Sequence, residues 1–281
     1  MEGRSDELAT MLRAADAAAQ LLRDQFTRPE HVQVDEKAAG DFVSSADLRS
    51  QDIIRGVLSA AYPTYLQLLE EGHGDRDAPS GAPRFVVDPL DGTTNFLHGI
   101  PHFAVSIALE KEGELAAGVV HDVVKGEIFS CEKGKGAWLG TRPLHGSPAR
   151  ALSRSVVGTG IPHHGRPNHG PYLAALAAIM SGVAGVRRMG SAALDLAYVA
   201  AGRFDAFFEL GLAPWDVAAG TLLVREAGGI VTGVDGRPVG IASGEILAAS
   251  CEPLHRTIVD HLAPLHGVHD VRMSGDRRQK K

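Results

Sequence analysis

The chain has 281 residues, enough to bury one large core or two. Hydrophobic residues make up 44% and charged residues 22%, as in ordinary soluble globular proteins, and with aromatics at only 5% the interior must be filled by Ala, Val, Leu and Ile. A net charge of -6 gives no reason to expect direct nucleic-acid binding, and no run approaches the ~18 apolar residues of a membrane span.

Leu8, Met11, Leu12, Ala15, Ala19 and Leu22 recur at helical spacing, which predicts a helix over Asp6–Phe26 with Ser5 or Asp6 as cap. Ile53, Ile54, Val57 and Leu58 predict a second helix over 47–61, stopped at Tyr62-Pro63. Residues Gly72 to Pro83, rich in Gly, Pro, Asp and Ser, predict an exposed loop, and Phe85-Val86-Val87 a buried strand. Strands are expected at Phe103–Leu109, Ala116–Asp122 and Glu127–Glu132, with a hairpin turn at Lys133-Gly134-Lys135-Gly136 before Ala137-Trp138-Leu139. Polar residues from Gly146 to Arg154 suggest a boundary, dividing the chain into an N-terminal α+β lobe (1–150) and a C-terminal α/β lobe (151–266). In the second lobe, strands are expected at Val156–Thr159, Gly185–Met189 and Phe204–Glu209. Helices are expected at Tyr172–Met180, from Ser191 through Ala201, and from Asp216 to Gly228-Gly229. The rest, 267–281, is a polar basic tail expected to be disordered.

The two cysteines, Cys131 and Cys251, form no metal-spacing motif; one disulfide is possible, and free thiols in a reducing compartment are the expectation. The charged N-terminus carries no signal-peptide core, which with the absence of an apolar span predicts a cytoplasmic protein.

The chemistry concentrates in Asp88-Pro89-Leu90-Asp91-Gly92-Thr93-Thr94-Asn95-Phe96. Asp88 and Asp91 stand three apart at a strand end, with Pro89 fixing the turn between them. This spacing lets both carboxylates and the Leu90 carbonyl converge on hard cations, which prefer oxygen ligands. Gly92 permits an unusual backbone angle or a close approach, and Thr93 and Thr94 can offer hydroxyl and N–H groups to a phosphate. Asp-Pro and Asp-Gly are also ordinary turn formers, so the nine-residue run, more than any pair within it, carries the functional reading.

This run resembles the signature of the inositol monophosphatase family of metal-dependent phosphomonoesterases. Trp215-Asp216-Val217-Ala218-Ala219-Gly220 looks like its second signature, Glu70-Glu71 like its acidic pair, and Gly40-Asp41-Phe42-Val43-Ser44-Ser45-Ala46-Asp47 like its N-terminal metal-site segment. The matches keep the family's order and spacing from about Lys37 to about Gly229. The resemblance implies a layered α-β-α-β-α sandwich of the inositol monophosphatase and fructose-1,6-bisphosphatase type. It implies two Mg²⁺ ions, held by Glu70, Asp88 and Leu90 and by Asp88, Asp91 and Asp216, with a weaker third ion beside the acidic pair. Asp47 and Thr93 would orient the attacking water, with Glu70 also in the catalytic set, and Gly92, Thr93 and Thr94 would meet the phosphate. Gly190, Ser191 and Ala192, with Glu209 and the ligands Asp91 and Asp216, would meet the substrate. Glu209 precedes Asp216 by seven residues, as a hydroxyl-binding glutamate does in inositol-specific members. Gly72-His73 replaces the family's usual Ser-Gly after the acidic pair, so the choice of Glu70 over Glu71 stays open. Lys37 is either the counterpart of a family lysine or a surface charge.

Each residue also has a plainer reading. Asp216 can be a helix N-cap, Glu70-Glu71 a solvated turn, Ser191 a simple cap, and Trp215 packing. His163, His164 and His169 share a loop without the spacing of a metal motif and read as exposed polar residues; His98 and His102 read as packing or supporting residues. The implied activity is Mg²⁺-dependent, lithium-sensitive hydrolysis of a small phosphorylated polyol, with inositol 1-phosphate first and histidinol phosphate or fructose 1,6-bisphosphate as alternatives. A homodimer is the family default. A partner role in transcription or RNA processing, with vestigial phosphatase activity, is the rival from another functional class.

Overall fold

The computed structural model describes residues 4–28, 32–38, 41–72, 81–148, 151–163 and 166–267. The basic tail, most of the Gly72–Pro83 loop, His164 and the Lys37 side chain lie outside the described residues.

The first helix, α1, spans Asp6–Phe26 as its apolar spacing predicts, with the Ser5 hydroxyl accepting from Leu8 N. After a short antiparallel hairpin of β1 (Val34–Ala38) and β2 (Asp41–Ser44), α2 runs over Ser45–Ala61. It starts two residues earlier than predicted, because Ser44 and Asp47 cap one another reciprocally.

Seven strands then form one sheet, in the order β3 (Leu66–Leu69), β4 (Arg84–Asp91), β5 (Ala104–Lys111), β6 (Glu114–Asp122), β7 (Glu127–Glu132), β8 (Gly136–Leu139) and β9 (Arg142–Leu144). Only β3 and β4 pair in parallel. The lysines of the β7–β8 turn pair with acids on neighbouring strands, Lys133 with Glu114 and Lys135 with Glu132, as a solvated turn would.

A second, five-stranded sheet has the order β11 (Gly185–Arg187), β10 (Val156–Thr159), β12 (Ala206–Leu210), β14 (Glu245–Ala249) and β13 (Ile230–Thr232). The first three are parallel, and β14 runs against both neighbours, so the sheet is mixed.

Helices fill three layers around these sheets. α1 and α2 cover one face of the larger sheet. α5 (Ala192–Ala200) and α6 (Pro214–Glu226) lie between the sheets. α4 (His169–Met180) and α7 (Glu252–His261) cover the outer face of the smaller sheet. This is the expected α-β-α-β-α order.

Because side chains alternate along a strand, each strand feeds two cores. In β5, Val105, Ile107 and Leu109 face the α1–α2 core, whereas Ala104 and Ala108 face α6. In β12, Phe207 joins the middle core and Phe208 the outer one. Small residues let the middle layer approach closely. A Cβ on Gly118 of β6 would stand 3.1 Å from the Ala219 carbonyl oxygen of α6. The same position is 3.1 Å from Cys131 Sγ, and Cys131 is a buried free thiol, as is the less buried Cys251. No helix among the described residues is long and apolar enough to cross a membrane.

Candidate active site

The strand predicted at 85–87 continues through the acidic run. Pairing in β4 shifts from Asp88↔Ser106 to Asp91↔Ala104, so three steps on one strand face two on its partner. Pro89 therefore sits in a β-bulge and not in a turn, and the bulge re-aims both carboxylates. From α2, Ser50 Oγ donates to the Pro89 carbonyl at 2.8 Å and fixes the bulge from behind. Asp88 Oδ1 accepts from Leu90 N at 3.0 Å.

Gly92 follows with φ +97°, in the left-handed region, and a Cβ there would lie 3.2 Å from the carbonyl oxygens of Gly190 and His102. Both expectations for this glycine, unusual angle and close approach, hold together. It leads into the short helix α3 (Thr93–Leu97). Asn95 Nδ2 donates to the carbonyls of His102 (2.7 Å) and Met189 (2.8 Å), tying α3 to the segment before α5.

Asp216 does not begin its helix: Ala213 is the N-cap, Pro214 the first residue, and Asp216 the third. Its Oδ2 accepts from Ala213 N at 2.8 Å, which fixes the carboxylate at the helix start. Oxygens of Asp88, Asp91 and Asp216 come within 4.8 Å of one another. Glu70, just after β3, lines the same cavity, while Glu71 is buried and its backbone is clasped by Gln51 at 2.7 and 3.0 Å. Burial, then the charges of Glu70, Asp91 and Asp216, push the Asp88 carboxyl well above the usual carboxylate range. Burial and Asp216 push Asp91 up to about 7, against the hydrogen bonds from Ser191 and Ala193.

Four acids forced together in this way store repulsion that a cation would relieve. The donors are all hard oxygens, without a histidine or thiolate, and so fit a hard divalent ion.

Thr93 and Asp47 meet although 46 residues apart: Thr93 Oγ1 donates to Asp47 Oδ1 at 2.9 Å and also approaches the Leu90 carbonyl at 3.1 Å. The other carboxylate oxygen of Asp47 accepts from Ser44 N (2.9 Å) and Ser44 Oγ (2.5 Å), so the fully buried Asp47 serves both α2 and the site.

Gly92, Thr93, Thr94, Gly190, Ala192, Glu209 and Asp216 all line one cavity of about 530 Å³. Ser191 differs from expectation. Its buried hydroxyl caps α5 at Leu194 N and donates to Asp91 Oδ2 at 2.5 Å, so it supports the Asp91 carboxylate instead of facing the cavity. Trp215 packs on the middle core and also borders the cavity. His163, read as an exposed loop residue, is exposed yet lines the cavity; His98 is exposed, with its ring Nδ1 at the Thr94 carbonyl, whereas His102 is buried.

Arg166 and Arg188 also line the cavity, and sequence reasoning passed over both. The one available signal was the Arg187-Arg188 pair just before Gly190, which reads equally well as solvated charge. Ser44 and Ser50, which set Asp47 and the bulge, were read only as part of the Gly40–Asp47 segment and as a residue of the second predicted helix.

Comparison with known proteins places these residues in context. The model of the inositol monophosphatase family matches residues 4–266. A protein of Rhizobium meliloti (strain 1021) named inositol-1-monophosphatase is 50% identical over 247 residues, covering 88% of this chain and 92% of its own. The Nus factor SuhB of Pseudomonas aeruginosa is 44% identical over 259 residues, covering 90% and 96%. Among solved structures, the extragenic suppressor protein suhB from Bartonella henselae superposes with a TM-score of 0.87 at 44% identity, covering 92% of this chain and 99% of that one.

Proposed function

The chain belongs to the inositol monophosphatase family, whose members are metal-dependent phosphoric monoester hydrolases, and from that premise we propose that it hydrolyses inositol 1-phosphate to inositol and phosphate with Mg²⁺. One observation carries the reading: the carboxylates of Asp88, Asp91 and Asp216 converge within 4.8 Å beside Glu70 and the Thr93–Asp47 pair. Glu70, Asp88 and the Leu90 carbonyl are proposed to hold one ion and Asp88, Asp91 and Asp216 a second. Bound there, the metal supplies charge neutralisation at the phosphoryl oxygens and acidifies a bound water.

The protein's own part is positional. With its proton committed to Asp47 Oδ1, Thr93 Oγ1 keeps a lone pair for a water proton, which turns the water oxygen toward phosphorus. Gly92, Thr93 and Thr94 would hold the phosphate through N–H and hydroxyl groups. Gly190, Ala192 and Glu209 form the wall that meets the polyol. Attack by water on phosphorus needs no phosphoenzyme, and among the described residues no nucleophilic serine or cysteine lines the cavity.

The test is phosphate release from inositol, fructose, histidinol and nucleotide phosphates, with and without Mg²⁺, beside Asp88→Asn. Magnesium-dependent release that the variant loses supports the proposal, and unchanged release by Asp88→Asn sinks the assigned metal centre.

A second reading rests on the relatives named Nus factor SuhB, at 44% and 41% identity, which are nearly as similar as those named inositol-1-monophosphatase. A role as a protein partner in transcription predicts co-purification with RNA polymerase that survives Asp88→Asn.

A further inference from the structure

We propose that a second cavity, which shares α3 and Phe42 with the acidic one, binds a small neutral molecule with an apolar body and one primary carboxamide that pairs with Gln25.

This cavity encloses about 620 Å³, within the range of small-molecule sites. Its walls come from the end of α1, the β1–β2 hairpin with Val32 just before it, and α3. Phe26, Val32, Val34, Phe42, Phe96 and Leu97 make it apolar. Of these, Phe96 is buried, Val34 is 48% exposed, and the others are half-buried. Phe26, Val32 and Leu97 pack on the α1–α2 core and still border the cavity, so apolar surface is left open around a single concavity.

The polar content is small and specific. His98 lines the cavity, but its ring Nδ1 is taken up by the Thr94 carbonyl. No Asp, Glu, Lys or Arg among the described residues lines it, so an ionic ligand would lose its hydration without gaining a counter-charge. Gln25 remains. It is only 3% exposed, yet neither its Oε1 nor its Nε2 has a hydrogen-bond partner among the described residues. A buried amide in that state is costly, and folded proteins seldom keep one. Its acceptor and its donors lie side by side on one planar group. A primary carboxamide offers the complementary pair and satisfies both at once. The terminal torsion of a glutamine is broad, so the amide can turn to the cavity when a partner enters.

The two cavities are neighbours. Phe42 lines both, and α3 gives Thr93 and Thr94 to the acidic cavity and Phe96 and Leu97 to this one. Resting in this one respect on the phosphatase reading, a bound carboxamide should alter KM at the phosphate-binding turn.

The experiment is an NMR titration of the full-length protein with 3-phenylpropanamide, beside its N,N-dimethyl form, which cannot donate, and 3-phenylpropanoate, which is charged. The primary amide should bind roughly 10-fold tighter than either. Gln25→Leu keeps the volume and removes the unpaired atoms, so it should melt no lower than the wild type and bind both amides alike. Leu97→Trp, which fills the cavity from the opposite wall, should weaken all binding by roughly 10-fold or more. Equal binding of the two amides by the wild type overturns the proposal, as does a Gln25→Leu protein that keeps the preference or melts lower. Saturating amide should change KM for inositol 1-phosphate about twofold or more in the wild type and not in Gln25→Leu. Binding with KM unmoved overturns the coupling and supports the site. A protein that binds the amide through Gln25 but releases no phosphate supports the site and removes the phosphatase reading.

Discussion

Thr93 and Asp47 share one hydrogen bond but stand in different structural positions. Thr93 Oγ1 loses little from its helix when removed, whereas Asp47 is fully buried and closes a capping box. Thr93→Ala should therefore lower kcat by about 100-fold, the range for a group that positions a reacting water, with metal affinity little changed. A defect confined to the Mg²⁺ titration would contradict the role. A second residue-scale prediction concerns His102, buried against Tyr198 with neither ring nitrogen hydrogen-bonded among the described residues. Burial is the main cause that lowers its pKa to about 4. The neutral ring is what the fold accommodates, so this contribution is fully present above the unfolded value of about 6.5 and is lost as pH falls from there towards 4. Relative to His102→Asn, the wild type should lose about 2 kcal/mol of stability between pH 7 and pH 5. Urea melts at both values check it, and parallel curves for the two proteins would show that the ring does not titrate as inferred.

The helices and strands behind the site were unevenly legible. α1 could be placed to the residue, since Ser5 caps a long apolar stripe. The β4 bulge was not, because Asp-Pro and Asp-Gly signal turns locally and only pairing with β5 shows that the strand continues. Strands β1, β2, β3, β9, β13 and β14 and helix α7 went unread. The six strands are three to five residues long, too short for periodicity to separate strand from loop. Asp88, Asp91, Asp216 and the Asp47–Thr93 pair were found through whole motifs. Arg166 and Arg188 escaped because their meaning depends on β11, β12 and the α4 approach converging, which no local pattern encodes. At this scale the contact between β6 and α6 is testable. Gly118→Val would press on the Ala219 backbone and on Cys131, at a cost of about 1–3 kcal/mol. Since α6 carries Asp216, the variant should also require more Mg²⁺ for half-maximal activity; a lower melting temperature with unaltered metal dependence would show that α6 yields without moving its first turn.

On the scale of the whole molecule, the acidic site joins elements distant in sequence. Asp88 and Asp91 come from the seven-stranded sheet, Asp216 from α6 in the layer between the sheets, and the Ser191 and Ala193 donors from α5. A cation there should act as a cross-link that also relieves carboxylate repulsion. At 100 times its dissociation constant it adds about 2.7 kcal/mol, which for a protein of this size raises the melting temperature on the order of 5 °C. Asp216→Asn should abolish most of the shift. A wild-type melting curve indifferent to Mg²⁺, Mn²⁺ and Ca²⁺ would argue that the cluster binds no divalent ion.

Asp47 also bears on how the protein could be handled as a reagent. One of its oxygens closes the start of α2 and the other holds Thr93, so a scan of substitutions scored by expression would file position 47 with the core, and its proposed catalytic share would go unseen. Position 93 separates the two jobs. A silenced yet well-folded protein, suited to trapping an uncleaved phosphate ester or to asking whether a binding partner needs turnover, is better made by Thr93→Ala than by any change at Asp47.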